Sequence, residues 1–244
     1  MKKNKKNNQR FNSVAILGFH DGSAGQIETW FEKTTGYNIG CFILEAKMPF
    51  KVDIAAENKK RVSQRTEFPS GGKFKGRPFI VSLDWITEIK KLGINKVLAL
   101  TPDNKERARQ IEICRKHGME LVSAVHPSVN ILSGAVVSPG AWINAGCIIG
   151  YKAEIASGVI INTGAQIDHH NMLKTCCQVD SGVVTAGFVT LGEYCHVHTG
   201  ATIINRIKIG KNTIIGAGSV VIRDIPADCT AVGVPAIVMK HRKH

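Results

Sequence analysis

The sequence predicts a small α/β domain followed by a parallel β-helix, and three observations point to it. Strand-like and helix-like segments alternate in the first half of the chain. From Val125 to Val221 every sixth residue is aliphatic, with Thr185 as the exception among seventeen positions. Glycines and small residues follow the aliphatic positions at fixed offsets. We therefore expect two domains that meet near residue 124.

The predicted boundaries divide the 244 residues into four parts. A basic, disordered tail is expected over 1–12, the α/β domain over 13–124, the β-helix over 125–223, and a closing turn with a basic tail over 224–244. A hydrophobic content of 43% is sufficient for two cores and argues against disorder throughout. No apolar run is long enough to span a membrane and no signal peptide follows the basic N-terminus, so we expect a cytoplasmic protein.

The formal net charge of +13 favours acidic partners. Nucleic acid, anionic lipid and small phosphorylated molecules would all fit, and charge alone does not choose among them. No aromatic residues are interleaved with the lysines of the N-terminal tail, so a nucleic-acid platform is not expected there.

The first half predicts four strands and three helices. Strands are expected at 13–19, 38–44, 96–101 and near 120–125, helices at 26–33, 82–92 and 104–117, and a basic, loop-rich segment at 46–77. This alternation is typical of a small parallel, Rossmann-like sheet.

A glycine-bearing turn after the first predicted strand contains Gly18, Gly22 and Gly25. Such a turn can place a phosphate at the N-terminus of the next helix, and Glu45, after the second strand, could meet a ribose hydroxyl. The glycine spacing does not match G-x-G-x-x-G, so a nicotinamide cofactor is disfavoured. A turn with a structural role alone is the alternative.

The second half is organised by the six-residue repeat. The fourth place of a hexad is often glycine and the fifth is mostly small, which permits a corner after each short strand. Three corners would close a triangular coil of eighteen residues with the aliphatic side chains stacked inside. Cys147, Cys177 and Cys195 occupy the small place, so we interpret them as packing residues. The seven cysteines lack C-x-x-C spacing, which indicates reduced thiols rather than disulfides or a zinc ribbon.

Hexads such as Ile143-Asn-Ala-Gly-Cys-Ile and Ile215-Gly-Ala-Gly-Ser-Val resemble the repeat of left-handed β-helix acyltransferases. With the preceding α/β domain, residues 13 to 240 resemble the PglD/NeuD-like acetyltransferases of bacterial surface-glycan and sialic-acid pathways. The resemblance implies a left-handed coil, a homotrimer with active sites between subunits, acetyl-coenzyme A as co-substrate, and a nucleotide-linked amino sugar as acceptor. It implies no metal and no redox cofactor.

The stretch Gln166-Ile167-Asp168-His169-His170 matches the catalytic segment of that family, with His169 in the place of the catalytic histidine. Imidazole suits a general base because its ordinary pKa lies near neutrality. The family usually has an acid where this chain has His170, so Asp168 and Asp180 are the remaining candidates for orienting His169. We expect His170 to lie beside the acceptor.

Further positions follow from the same resemblance. Asn162 matches an asparagine that contacts the sugar. Gln178 stands where the family commonly has a second histidine near the acetyl thioester, so we expect it to contact the cofactor by a hydrogen bond, although an amide cannot relay a proton. Gly187 matches a position whose backbone N–H faces the thioester carbonyl, and Thr199 and Ala217 match positions that hold the pantetheine arm of coenzyme A.

Two other functions stay open. An O-acetyltransferase of sialic-acid-like sugars would use the same base on a hydroxyl group. A non-catalytic β-helix could act as an assembly module, an alternative favoured by the departures at His170 and Gln178.

Histidines at 196 and 198 also raise the possibility of a zinc site. Their spacing differs from that of the zinc-binding relatives of this fold, so a metal site is not expected. An outward ladder of polar side chains, one from each coil, is predicted instead for Asn144, Asn162, Asp180 and His198.

Overall fold

The computed structural model describes residues 12–46 and 72–241, which belong to two compact units. The first unit comprises Met1–Thr101 and Ile113–Leu121, and the second comprises Pro102–Glu112 and Val122–His244. Nearly all of the tail predicted at 1–12, most of the basic segment 46–77 and the last three residues lie outside the described residues.

The first unit contains a six-stranded sheet with the strand order β3-β4-β2-β1-β5-β6. Neighbouring strands are parallel except β3 and β4, so the predicted parallel sheet is confirmed and has an antiparallel edge. The strands are β1 (Ser13–Leu17), β2 (Asn38–Glu45), β3 (Lys73–Phe74), β4 (Arg77–Ser82), β5 (Lys96–Ala99) and β6 (Glu120–Leu121). The helices of this unit are α1 (Asp21–Thr35) and α2 (Trp85–Lys91), and the residues of α3 (Asn104–Lys116) are divided between the two units.

Apolar runs explain the central strands. Ala15, Leu17, Ile43 and Val97 are fully buried and pack together with side chains of α2. Strands buried on both faces are typical of parallel sheets, which accounts for the continuous rather than alternating hydrophobic pattern.

Two boundaries in the first unit differ from the sequence-based prediction. Strand β4 (Arg77–Ser82) was not predicted, because the sequence indicated a loop-rich segment up to residue 77 and a helix from residue 82. The helix starts only at Trp85, because the carboxylate of Asp84 caps it by accepting the Thr87 N–H at 3.3 Å. Helix α1 begins at Asp21 rather than near 26, so Gly22 and Gly25 are helical and only Gly18 lies in the turn.

The second unit is a left-handed parallel β-helix, as the resemblance predicted. Strands eighteen residues apart pair in parallel, as Trp142 does with Ile160 and Ile160 with Gln178. Each strand from β7 to β23 has two residues, and the aliphatic place of the hexad is the second of them. The predicted coil of eighteen residues is therefore confirmed.

Three sheets form the faces of the coil. The first face contains β7 (Ala124–Val125), β10 (Trp142–Ile143), β13 (Ile160–Ile161), β16 (Gln178–Val179), β19 (His196–Val197) and β22 (Ile214–Ile215). The second contains β8 (Asn130–Ile131), β11 (Ile148–Ile149), β14 (Gln166–Ile167), β17 (Val184–Thr185), β20 (Thr202–Ile203) and β23 (Val220–Val221). The third contains β9 (Val136–Val137), β12 (Glu154–Ile155), β15 (Met172–Leu173), β18 (Thr190–Leu191) and β21 (Lys208–Ile209).

The corners share one backbone conformation. From Gly134 to Gly218 the fourth place of every hexad has a positive φ, whether or not the residue is glycine. Seven of these places hold residues other than glycine, among them His170 (φ 57°) and Phe188 (φ 60°). Because a left-handed φ is costly for residues with a Cβ, these side chains are retained against a local energetic cost.

The chain ends in a hairpin that the sequence did not reveal. Strand β24 (Cys229–Gly233) extends the first face, and β25 (Ala236–His241) pairs with it in antiparallel fashion. The connection from Gly233 to Ala236 lies within the region 224–244, where a closing turn was predicted.

All seven cysteines are buried free thiols, and Cys147, Cys177 and Cys195 lie in the core of the coil as predicted. Within the described ranges, no helix is long and apolar enough to cross a membrane.

Candidate active site

The side chains singled out in the sequence lie at two corners of the β-helix. The Asn162 corner follows the first face and includes Asn162, Asp180 and His198. The His169 corner follows the second face and includes His169 and Gly187. Because the strands that lead into the two corners belong to different sheets, one chain presents these two groups on different edges of the coil.

His169 lies directly against the backbone of Gly187, one coil further along. A Cβ built on Gly187 would lie 2.3 Å from Cε1 and 2.4 Å from Nε2 of His169, so only glycine leaves room for the imidazole ring. The Gly187 carbonyl accepts a hydrogen bond from the Arg206 N–H at 2.9 Å. Within the described part of the chain the Gly187 N–H makes no hydrogen bond. The residue that touches His169 therefore carries an unpaired backbone donor.

The ring of His169 meets His170 rather than an acid. Their Nδ1 atoms are 3.1 Å apart. The Asp168 carboxylate instead accepts the backbone N–H of His169 at 2.7 Å, so it fixes the main chain at the corner.

Aromatic contacts hold His170 in place. Its ring stacks on Phe188, with the centroids 4.7 Å apart and the planes 9° from parallel. The Tyr151 ring meets the His170 ring in an edge-to-face arrangement, with the centroids 5.5 Å apart. The guanidinium of Arg206 lies 5.2 Å from the centroid of the Phe188 ring. Sequence reasoning missed Phe188, although an aromatic residue at a corner place that favours glycine, directly after Gly187, could have drawn attention to it.

Thr185, the exception to the aliphatic repeat, lies beneath this corner. Its side chain is buried, and its hydroxyl oxygen accepts the backbone N–H of Asp168 at 3.3 Å. The buried amide of Asn171 also donates to that hydroxyl oxygen. An aliphatic side chain could not accept these hydrogen bonds. Thr185 therefore stabilises the backbone of Asp168, the residue immediately before His169.

At the Asn162 corner, four polar side chains converge on the carboxylate of Asp180. One carboxylate oxygen accepts from Asn162 Nδ2 at 3.1 Å and from Gln178 Nε2 at 2.9 Å, and Asn144 donates in turn to Asn162 at 3.0 Å. The other oxygen lies 2.9 Å from His196 Nε2 and 3.0 Å from His198 Nδ1. The predicted polar ladder is present, and Asp180 is its centre.

Burial by itself raises the pKa of Asp180, but the hydrogen bonds from His196, His198 and Gln178 together hold that pKa well below its usual range. The atoms that Asp180, His196 and His198 offer lie within 4.8 Å of one another. Hydrogen bonding to one carboxylate accounts for this grouping. The convergence on Asp180 was not predicted, although its place in the column was.

The remaining candidates of the coil lie near the Asn162 corner. Gln178 Oε1 is buried and has no hydrogen-bond partner among the described residues. Thr199 follows His198, and its carbonyl accepts the Gly218 N–H at 2.9 Å, which places Ala217 one coil further at the same exposed edge.

A groove of about 460 Å³ runs along the second face beside Asp168. Partly exposed Ile148, Val184 and Ile204 line it. The His169 corner therefore borders an apolar surface.

In the first unit, three of the candidate residues lie at the carboxyl edge of the sheet or just after it. Gly18 follows β1 with φ +86°, and a Cβ there would lie 2.2 Å from Thr101 Oγ1, so the backbones approach too closely for a side chain. Glu45 ends the neighbouring strand β2 and is buried. Gly22 lies in the first turn of α1, whose N-cap residue His20 makes no side-chain capping bond. Gly25 lies one turn further and faces open space.

Comparison with known families gives one match within the coil. Residues 188–223 match the model described as bacterial transferase hexapeptide (six repeats). A serine acetyltransferase of Synechococcus elongatus is 52% identical over 50 residues, which are 20% of this chain and 20% of that protein. A putative acetyltransferase of Saccharomyces cerevisiae is 48% identical over 52 residues, 21% of this chain and 26% of that protein. The matches thus span a fifth to a quarter of the length of these relatives.

Solved structures match both units. A perosamine N-acetyltransferase from Caulobacter crescentus, with one histidine replaced by asparagine and with coenzyme A and GDP-perosamine bound, superposes with a TM-score of 0.78. It is 27% identical, and the match covers 93% of this chain and 97% of that one. The acetyltransferase domain of PglB from Neisseria gonorrhoeae, bound to acetyl coenzyme A, has the same fold with a TM-score of 0.74 and 21% identity over 94% and 100% of the two chains.

Proposed function

We propose that this chain, as a member of the PglD/NeuD-like hexapeptide-repeat acetyltransferases, transfers acetyl from acetyl-coenzyme A to the amino group of a nucleotide-linked amino sugar. Similarity to the GDP-perosamine N-acetyltransferase over almost the whole of both chains supports this substrate class.

The contact between His169 and Gly187 carries the proposal. It puts a potential proton acceptor, the Nε2 edge of an imidazole, beside a residue whose backbone N–H is unpaired. Acetyl transfer needs these two elements close together, because the amine loses a proton while the carbonyl oxygen gains negative charge.

In the proposed reaction the amine nitrogen attacks the thioester carbon and forms the C–N bond. His169 Nε2 takes the proton from the amine, and the Gly187 N–H donates to the developing oxyanion. Collapse of the tetrahedral intermediate breaks the C–S bond, and His169 returns its proton to the sulfur of coenzyme A. Each proton is accounted for, and the base is ready for another cycle.

A homotrimer would complete this site. The proposed acceptor residue Asn162 and the proposed cofactor residues Gln178, Thr199 and Ala217 lie at or near one corner, whereas His169 lies at another. We infer that the Asn162 corner of one subunit faces the His169 corner of its neighbour. Exposed aliphatic side chains along the second face supply apolar surface for such an interface.

The first unit would bind the nucleotide. A phosphate could bind at the tight turn of Gly18 and at the N-terminus of α1, where the N-cap side chain makes no capping bond. Glu45, at the carboxyl edge of the sheet, could bind a ribose. The nucleotide-linked sugar and acetyl-coenzyme A are both polyanionic, and a net charge of +13 favours the binding of such ligands.

The test is an acetylation assay with acetyl-coenzyme A and a panel of nucleotide-linked amino sugars and sialic-acid-like sugars, following thiol release and product mass. We expect thiol release with amino sugars, and at least about a 100-fold loss of kcat in His169→Ala. His117→Ala is the matched control, since His117 is an exposed histidine on the first unit. Full activity of His169→Ala would refute the base assignment, and product only from sugar hydroxyls would refute N-acetylation.

A further inference from the structure

The proposed base is hydrogen-bonded to a second imidazole. His169 Nδ1 and His170 Nδ1 are 3.1 Å apart, while Asp168 is engaged with the backbone of His169. No carboxylate within the described ranges is hydrogen-bonded to either ring. We propose that His170 orients His169, and that the two rings form a neutral pair with one proton on the hydrogen bond between them. The proposal rests on the function of His169 given above.

The protonation state of the pair follows from its geometry. Two ring nitrogens can form a hydrogen bond only when one carries a proton and the other does not. If Nε2 of His169 is to accept a proton, its neutral ring must carry the hydrogen on Nδ1. His169 Nδ1–H then donates to the lone pair of His170 Nδ1, and His170 carries its own hydrogen on Nε2.

The same hydrogen bond survives the reaction. When His169 takes the proton from the amine, its Nδ1–H still donates to the unprotonated Nδ1 of His170. If His170 were protonated instead, two N–H groups would face each other and the bond would be lost. His170 can therefore orient the base only while it is neutral.

Cations lie against both aromatic neighbours of His170. Lys152 lies 5.1 Å from the Tyr151 ring, which contacts His170, and Arg206 lies over the opposite aromatic neighbour, Phe188. Asp168 is the one acid adjacent in sequence, and its carboxylate is bound to the main chain. The neutral form of His170 in the proposal follows from the hydrogen bond itself, because its Nδ1 must carry a lone pair to accept the Nδ1–H of His169.

The corner backbone fixes where the His170 ring points. The residue has φ 57°, and its N–H donates to the Tyr151 carbonyl at 2.8 Å. Phe188 occupies the same corner place one coil on with φ 60°, and its N–H donates to the His169 carbonyl at 3.0 Å. Main-chain hydrogen bonds and stacking on Phe188 thus both fix the position of the His170 ring.

Replacing an acid by a neutral imidazole changes the pH behaviour. A carboxylate would stabilise the protonated form of His169, whereas His170 only accepts a hydrogen bond from it. We therefore expect His170→Glu to move the acidic limb of the kcat/KM profile to higher pH by about one unit.

Two further variants separate orientation from packing. His170→Phe keeps an aromatic ring for stacking on Phe188 but removes the acceptor, and the chain already tolerates phenylalanine at this place of the corner. His170→Asn keeps an acceptor and suits a left-handed φ. We expect His170→Phe to lose at least about tenfold in kcat with little change in the KM for the acceptor, and His170→Asn to lose less. Tyr194→Asn, at a corner place that also has a positive φ (61°) but follows the third face, is the matched control.

Nitrogen chemical shifts of the imidazole rings give a readout that does not depend on activity. In protein labelled with ¹⁵N-histidine, which has nine histidines, His169 should be in the Nδ1–H form and His170 in the Nε2–H form. Assignment follows from loss of signals in His170→Asn and in His169→Ala.

The outcomes distinguish the two proposals. An Nε2–H form of His169, or wild-type kcat and pH profile in both His170→Phe and His170→Glu, would overturn the role of His170 while leaving the transferase function intact. No acetyl transfer by the wild-type protein would overturn the transferase function, and the ring tautomers would still decide whether the pair exists.

Discussion

Gly187 and His169 occupy successive coils of the β-helix with no space between them for a methyl group. The hypothetical Cβ of Gly187 would lie 2.3 Å from His169 Cε1, far inside van der Waals contact. The glycine is therefore required by the neighbouring ring and not by its own φ, unlike the glycines at the fourth places of the hexads.

This contact predicts that Gly187→Ala displaces the imidazole ring and disturbs the donor beside it. We expect kcat/KM for acetyl transfer to fall by about 100-fold or more with little loss of stability. Gly93→Ala is the control, because nothing lies within 4 Å of its added methyl group although φ is +71°. It should cost about 1 kcal/mol of stability and leave the rate unchanged. Normal kinetics in Gly187→Ala would show that the ring can move without consequence.

Asp180 should stabilise the fold in a pH-dependent manner. Its pKa is lowered in the folded state, so folding favours the ionised form; this stabilisation is complete above the ordinary value near 4 and is lost as the pH falls through the folded value. We expect Asp180→Asn to cost about 2 kcal/mol at pH 7. The difference from wild type should shrink by about 1 kcal/mol between pH 5 and pH 3.

Urea unfolding at several pH values measures this effect. If the difference in the free energy of unfolding between wild type and Asp180→Asn stays constant down to pH 3, the hydrogen-bond donors around Asp180 do not stabilise its ionised form. Loss of acceptor binding in the same variant would connect Asp180 to the position of Asn162, whose side chain donates to it.

Arg107 stabilises the second unit from within. Its guanidinium is fully buried and donates to the carbonyl oxygens of Gly158 at 2.8 Å and Cys176 at 2.9 Å, and to Asn104 Oδ1 at 2.7 Å. Arg107→Ala leaves these acceptors without their donor, so we expect a loss of about 3 kcal/mol in the free energy of unfolding. Arg109→Ala, which removes an exposed ion pair with Glu106, should cost less than about 1 kcal/mol. Similar losses for the two variants would contradict this account.

The cysteines should be unreactive in the folded protein. Burial raises the pKa of Cys195 to about 12, and it has the same effect on Cys41 and Cys114, so the nucleophilic thiolate is scarce at pH 8. We expect fewer than one of the seven thiols to react with Ellman's reagent before unfolding, and all seven afterwards. Rapid reaction of a native thiol would show that part of a core opens readily, and it would also add background to a thiol-release assay.

The sequence was sufficient for the β-helix because one periodic pattern encodes it. From Ile143 to Val221 the aliphatic residues of the repeat are buried in the core of the coil. The corner conformation recurs at the fourth place of each hexad, so the phase of the hexads gave the strands and the coil length. Even the exception was informative, since Thr185 accepts hydrogen bonds at the His169 corner.

Elements that depend on a partner strand or a cap were less predictable. Strand β4 joins β3 in a hairpin, and β25 joins β24, yet neither has a pattern that continues beyond a few residues. Helix α1 starts at Asp21 because glycines can enter a helix when tertiary packing supports it, although their propensity is low.

For the candidate site, the resemblance supplied His169 and Gly187, and the structure showed how closely they pack. The partner of His169 depends on rotamers and on stacking against Phe188, neither of which can be read from residue spacing. The convergence of side chains on Asp180 likewise depends on the lateral approach of successive coils.

The separation of the two polar corners has a genetic consequence. If each site combines the His169 corner of one subunit with the Asn162 corner of the next, two differently damaged alleles can complement each other. Co-expression of His169→Ala and Asn162→Ala, each inactive alone, should restore about a quarter of wild-type activity when the chains assemble at random. Such complementation between alleles would arise because, in the restored site, each copy contributes the corner that its own substitution leaves intact.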